Sequence, residues 1–257
     1  MVNKKNALIK RILFGILSGA FLIFIIYQIL QPEKIDAPVQ FFYYPEFGIE
    51  IPAGYKIHGI DVSRHQEDIN WKQVTALKQD SISIHFVFIK ATEGIYSVDK
   101  NFKKNWQNAN DAGLVCGAYH YFLASKSGKD QAKNFLKNVS LQRGNLPPVI
   151  DIEELYGVRP EVMRQRMQDW LDRVENTFQV KPIIYTSVNF YNQYLKGYFK
   201  DYVLWVSHYY EKERPRISVP WAFWQYNDRG QLKGIQEKVD FNVFNGDTSS
   251  FQKILIK

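Results

Sequence analysis

Two carboxylates two residues apart, Asp151 and Glu153, close a short apolar run that opens on two prolines: Pro147-Pro148-Val149-Ile150-Asp151-Ile152-Glu153-Glu154. The run is short and β-branched, the pattern of a buried strand. Side chains alternate faces along a strand, so Asp151 and Glu153 point one way and Ile150 and Ile152 the other. Like charges held close push one pKa up. A site obtains a protonated acid beside an ionised carboxylate at neutral pH in that way. A strand end that has merely reached solvent would carry the same residues.

Positioning such a pair takes a scaffold, and the surrounding chain predicts one. From Tyr55 onward, strands are expected at Lys56–Val62, His85–Ala91, Leu114–Phe122, Pro148–Glu153 and Pro182–Thr186. Helices are expected after each, at Ile69–Asp80, Asp99–Ala112, Gly128–Leu141, Pro160–Phe178 and Val188–Leu195. Five strand–helix units in succession make a parallel sheet with right-handed crossovers. Repeated polar groups at strand C-termini favour a TIM-like α/β barrel over a doubly wound sheet. The last third breaks the rhythm: Val203–His208, Trp221–Tyr226 and Val239–Phe244 read as strands without helices between them. The connection from Tyr226 to Val239 is short for a crossover, so the last two strands are expected to be antiparallel. Asp240, at the start of its strand, then shares a rim with Gln225 and Tyr226.

In a barrel the strand C-termini meet at one mouth. The polar residues there, with Asp240, are Asp61, Glu93, Tyr119, His120, Tyr121, Asp151, Glu153, Tyr185, His208 and Gln225. Five carboxylates among aromatics and amides suit glycoside hydrolysis: an acid for the leaving oxygen, a carboxylate for the anomeric side and flat walls for sugars. A metallohydrolase built on His120, Asp61 and Asp151 is a second reading, although the sequence has no HExxH or His-x-His. There is no G-x-S-x-G and no glycine-rich phosphate loop. Tyr119 and Tyr121 share one strand face and His120 takes the other, so one set must point away from the lumen. Trp205 and Trp224 lie inside strands, where packing is the commoner role. His58 is expected at the far end of the barrel as a structural residue, and Arg64 and His65 in a loop after Asp61.

The chain has 257 residues, 46% apolar and 16% aromatic, enough for one large domain with a substantial core. Of the formal net charge of +7, residues 1–36 hold +3, and the rest is spread without a basic block. A nucleic-acid footprint would be clustered. The lone cysteine, Cys116, sits in an apolar run and reads as a buried small hydrophobe.

Ahead of the barrel, residues 1–11 carry Lys4, Lys5, Lys10 and Arg11 as a cytoplasmic basic flank. Ile12–Leu30 is 19 residues without a charge, long enough to cross a bilayer as a helix, and no small-x-small cleavage signal follows. The expectation is an uncleaved single-pass signal anchor in a bacterial cytoplasmic membrane, with the remainder exported. Residues 31–54, with four prolines and Phe41-Phe42-Tyr43-Tyr44, read as a linker partly packed through its aromatics, and residues 55–257 as the barrel domain.

Eight motifs occur in an order that resembles glycoside hydrolase family 25, the lysozymes that act as N-acetylmuramidases. They are Gly59-Ile60-Asp61-Val62-Ser63, Phe88-Ile89-Lys90-Ala91-Thr92-Glu93-Gly94, Gly117-Ala118-Tyr119-His120-Tyr121-Phe122, Pro148-Val149-Ile150-Asp151-Ile152-Glu153, Ile184-Tyr185-Thr186, Leu204-Trp205-Val206, Trp224-Gln225-Tyr226 and Val239-Asp240-Phe241-Asn242. The resemblance spans about Ile57 to Gly246. It implies a barrel of five β/α units closed by three further strands, and cleavage of the β-1,4 bond between N-acetylmuramic acid and N-acetylglucosamine in peptidoglycan glycan strands. It implies Glu153 as general acid, Asp151 as the carboxylate assisting the substrate's N-acetyl group, and Asp61 and Asp240 as the other acidic positions. Substrate contacts are expected from Glu93, Tyr119, Tyr121, Tyr185, Trp205, Gln225 and Tyr226. No metal or organic cofactor is implied. Crowding of the acids is expected to keep Glu153 protonated and Asp151 charged. A membrane anchor stands where many relatives carry wall-binding repeats. The alternative reading is a non-catalytic peptidoglycan-binding module of the envelope.

Overall fold

The computed structural model describes residues 39–80 and 82–257, and the compact unit begins at Val39. Part of the stretch read as linker is therefore folded. Strands β1 (Phe41–Tyr44) and β2 (Ile49–Pro52) form an antiparallel hairpin. Phe47, Ile49 and Ile51 are buried, with the Phe47 ring 5.5 Å from Phe241 and Phe41 6.1 Å from Trp224. The Ile12–Leu30 segment and its basic flank lie outside the described residues. Among the described residues no helix is long and apolar enough to cross a membrane.

The barrel follows. Strand β3 (His58–Val62) leads to helix α1 (Trp71–Ala76), then β4 (Lys78–Gln79), β5 (Ile82–Glu93) and β6 (Ser97–Val98). Helix α2 (Phe102–Asp111), β7 (Val115–Tyr121), α3 (Gly128–Asn138), β8 (Val149–Asp151), α4 (Pro160–Phe178) and β9 (Ile183–Ser187) come next. A short α5 (Val188–Phe190) runs into a π-turn over Tyr191–Leu195 before β10 (Val203–Ser207), β11 (Phe223–Gly230), β12 (Val239–Phe244) and α6 (Thr248–Ile254). The expected helix over 69–80 is shorter, because Leu77 turns extended and Lys78–Gln79 leaves to pair with Ile82–Ser83.

Eight strands close in the order β3-β5-β7-β8-β9-β10-β11-β12 and back to β3. Neighbours from β3 through β11 are parallel, and β12 runs antiparallel to both β11 and β3. Five β/α units closed by three helix-free strands is the architecture expected from the rhythm of the sequence. The helix-free flank leaves the outer face of β11 and β12 uncovered, and the N-terminal hairpin covers it.

Two apolar layers hold the barrel. Outside the sheet, α4 packs Met163, Met167, Trp170, Leu171 and Val174, all fully buried and spaced to form one helix stripe. Inside, Phe86, Phe88, Trp205 and Phe223 fill the lumen, and Phe251 of α6 plugs its lower end against Phe86 and Phe244. Room for the phenylalanines comes from missing side chains. A Cβ on Gly59 would sit 2.4 Å from Phe86, and one on Gly117 2.6 Å from Phe88. This aromatic floor shuts the lumen below the carboxylates, so the polar groups can meet only at the upper mouth.

Candidate active site

Strand parity decides what enters the mouth. On β3, Ile60 and Val62 face the helices, so Asp61 faces inward. On β12, Asp240 and Asn242 face inward while Phe241 and Val243 do not. The antiparallel register places Asp240 directly opposite Asp61. Asp61 Oδ2 accepts from Gln225 Nε2 at 2.7 Å and from Asn242 Nδ2 at 2.8 Å. Each donor is itself fixed. Tyr185 and Tyr209 both donate to Gln225 Oε1 at 2.6 Å, and Trp205 Nε1 donates to Asn242 Oδ1 at 2.8 Å. With two hydroxyls on its oxygen, the Gln225 amide can present only its nitrogen to Asp61.

Asp151 lies in register with Tyr121 on one side and Tyr185 on the other, buried at 6% exposure. Its Oδ1 is buried with no hydrogen-bond partner. Glu153 lies beyond the end of β8, on the open side of the cluster. Burial raises the Asp61 carboxyl well above the usual range, and the Asp240 charge adds to it, against the Asn242 and Gln225 hydrogen bonds. Burial also raises Asp151, with the Glu153 charge next and Lys90 opposing. Asp240 is pushed up to about 7 by burial and by the charges of Asp228 and Glu153. Glu153 is raised by desolvation despite its surface position, because the walls of the mouth displace water around it. Hydrogen bonds with Asp151 and Tyr185 and the charge of Lys90 hold that rise back. The hydrogen bond between Asp151 and Glu153 raises the first and lowers the second. Both carboxyls are thus raised, and burial is the first cause for each.

The family model for glycosyl hydrolases family 25 matches residues 60–235. The chain belongs to glycosyl hydrolase family 25. It is 47% identical over 206 residues to the uncharacterized protein YegX of Escherichia coli (strain K12), covering 80% of this chain and 76% of that one. Lysozyme M1 of Streptomyces globisporus is 33% identical over 214 residues, 75% of this chain and 69% of the relative. Among solved structures, a family 25 glycosyl hydrolase from Bacillus anthracis superposes with a TM-score of 0.72 at 33% identity, covering 79% of this chain and 95% of that one. The protein is thus a family 25 glycosidase.

Other expected contacts of this family 25 site sort by face. Tyr119 is half-buried on the lumen side, its ring centroid 6.4 Å from that of Trp205 in an edge-to-face arrangement. Tyr121 lies beneath the Lys90 ammonium, 4.6 Å from its ring centroid, and its hydroxyl pairs with Tyr156 at 3.0 Å. Glu93 is held by Lys90 at 2.7 Å. A bulge between Lys90 and Thr92 turns Glu93 back toward Lys90. Two expected contacts are corrected. Tyr226 faces outward at 2% exposure, packed against Trp224 and Phe241, and does not reach the mouth. Trp205 is buried and stacked on Phe88 at 4.2 Å, so it fixes Asn242 and offers no sugar platform.

His120 is on the far face, as the parity rule required of one set. It bonds Thr92 Oγ1 at 2.7 Å and Gln131 at 3.2 Å, stacks on Trp170, and has its pKa lowered to about 3 by burial. The metallohydrolase grouping of His120 with Asp61 and Asp151 is therefore not assembled. Among the described residues no group of His, Cys, Asp and Glu is placed to hold a metal. His208 leans away toward Glu211 at 3.6 Å. His58 bonds the Tyr55 carbonyl, a structural role.

Lys90, Asn242, Tyr156 and Tyr209 escaped the sequence reading. Lys90 and Asn242 were within reach of it: each sits two or four residues from a lumen-facing side chain on its own strand. Tyr209 and Tyr156 lie in loops, where no periodicity points.

Proposed function

We propose that the protein is a muramidase that cleaves the β-1,4 bond between N-acetylmuramic acid and N-acetylglucosamine in peptidoglycan. Family membership and the likeness to Lysozyme M1 support the substrate class. The observation that carries the chemistry is the buried, unpartnered Oδ1 of Asp151 beside Glu153. A buried acceptor without a partner is costly, and an acetamido N–H of the sugar would satisfy it. In this reading, a bound glycan strips the remaining water from Glu153 and raises it further, so that Glu153 is the protonated acid and Asp151 the charged partner. Glu153 gives its proton to the leaving oxygen as the C1–O bond breaks. The acetamido oxygen forms a bond to C1 while Asp151, now charged, holds the N–H. Water then attacks C1, its proton passes to Glu153, and the acetamido group is restored. Asp61, fixed by Gln225 and Asn242, and Asp240 line the same rim with carboxyl oxygens that can face the developing positive charge.

The test is incubation of the purified protein with peptidoglycan and identification of new reducing ends. Muramic-acid ends are expected. Binding of the polymer without any new ends would establish the non-catalytic binding module instead.

We further infer that residues 12–30 hold the enzyme in a bacterial cytoplasmic membrane with the barrel exported, supported by 19 uncharged residues behind Lys10 and Arg11. The protein should stay with membranes through a high-salt wash and leave with detergent. Release by salt alone would contradict the anchor.

A further inference from the structure

The N-terminal hairpin does more than cover apolar surface. With the segment after β10 it encloses a pocket of about 320 Å³ lined by Val39, Phe41, Glu50, Tyr210, Lys212 and Tyr226, with Glu211 and Asn227 at its edge. Val39, Phe41 and Glu50 come from the hairpin, ahead of the stretch matched by the family model, residues 60–235. The pocket adjoins the catalytic network at two points. Tyr210 follows Tyr209, whose hydroxyl fixes Gln225, and Tyr226 follows Gln225 itself. The Tyr210 N–H bonds the Tyr226 carbonyl at 3.3 Å and ties the two walls together.

The charges of the pocket are unequally committed. Glu211 is engaged by Arg216 at 2.5 Å and by His208 at 3.6 Å. The Tyr210 hydroxyl bonds Asp228, and Arg229 lies over its ring. Among the described residues no ion pair takes up the Glu50 carboxylate or the Lys212 ammonium. One further group lacks a partner. Tyr226 is buried at 2% exposure, lines the pocket, and its hydroxyl makes no hydrogen bond. A buried hydroxyl left unpaired costs stability unless something supplies its bond.

We propose that this pocket binds the peptide borne by the glycan, a short chain carrying both a free amine and carboxylates, with the amine toward Glu50 and a carboxylate toward Lys212. The inference rests on peptidoglycan as substrate. A free anion and a free cation within one pocket complement a zwitterionic peptide, whereas a neutral sugar brings no charge to pair with either. Continuity with Gln225 and Tyr209 lets peptide and glycan be held by one molecule of enzyme.

The experiment compares the full-length protein on glycan strands bearing a stem peptide with a free diamino-acid amine and on the same strands stripped of peptide by an amidase. The free peptide is titrated in parallel. Wild type is expected to show kcat/KM higher by about fivefold or more on the peptide-bearing strands, the scale of one or two partly exposed charge pairs. The double variant Glu50→Gln/Lys212→Met should bring the ratio to about one, keep the rate on stripped strands, and lose binding of the free peptide. Equal rates of wild type on both strands, or a double variant that keeps the preference, overturns the proposal. Wild type that cleaves neither strand overturns the muramidase reading, and the titration still decides the pocket: loss of peptide binding in the double variant supports it, and unchanged or absent binding sinks it.

Discussion

Asp240 faces Asp61 across the one reversed strand of the barrel, Cα opposite Cα in the β12–β3 register. An all-parallel barrel would have put the start of its last strand at the bottom. Reversal of β12 brings that start to the mouth and adds a fourth acid to a cluster the other strands could only partly build. Both are raised, Asp61 by burial and then by the Asp240 charge, Asp240 by burial and then by the charges of Asp228 and Glu153.

Stability should therefore fall as pH rises. An acid raised on folding binds its proton more tightly in the native state, so its contribution is complete below the unfolded value near 4 and is lost as pH climbs through the folded value. For Asp240 that window runs from about 4 to about 7. Asp240→Asn should flatten the decline and gain on the order of 2 kcal/mol at pH 8 relative to wild type, less than the full shift because the group is half-buried and hydrogen-bonded to Asp61. Thermal melts from pH 4 to 8 read this directly, and parallel profiles for the two proteins would contradict it.

Gln225 is the junction of the mouth. It takes two tyrosine hydroxyls and gives one bond to Asp61. Gln225→Leu leaves the Tyr185 and Tyr209 hydroxyls without this acceptor and takes from Asp61 one of its two donors, a contact that lowers its carboxyl. Activity is expected to fall about 10²-fold, the cost of removing one fixed donor at a charged site, with a loss of roughly 2–3 kcal/mol in stability. Kinetics and denaturant unfolding check both. Tyr209→Phe should retain more activity than Gln225→Leu, since Tyr185 still holds the amide.

The hairpin belongs to the fold. Phe47 is fully buried against Phe241. Phe47→Ala is expected to cost about 3 kcal/mol and leave kcat on stripped glycan close to wild type. A loss below about 1 kcal/mol, read from urea unfolding, would return residues 39–54 to the role of a linker.

The barrel was legible because strand and helix periods alternate five times, and the break after Leu195 correctly marked the helix-free closure. The reversed β12 was legible from the short Tyr226–Val239 connection. The hairpin was not: Pro45 and Pro52 look like linker prolines, yet they flank the hairpin turn and its exit. Parity placed Asp61, Asp151 and Tyr119, and it also turns Tyr226 outward because it follows an inward Gln225, so the expected contact there went against it. How deeply Asp151 and Glu153 are each buried was not legible, because no spacing along one strand encodes it.

The most direct measurement is the effect of Glu153→Gln on release of muramic-acid reducing ends from peptidoglycan by the purified protein, with polymer binding followed in the same samples. The variant keeps the shape of Glu153 and its place at the mouth but cannot pass a proton to the leaving oxygen. The expected result is a fall in turnover of about 10³-fold or more, with binding retained. Turnover within tenfold of wild type would contradict Glu153 as the acid.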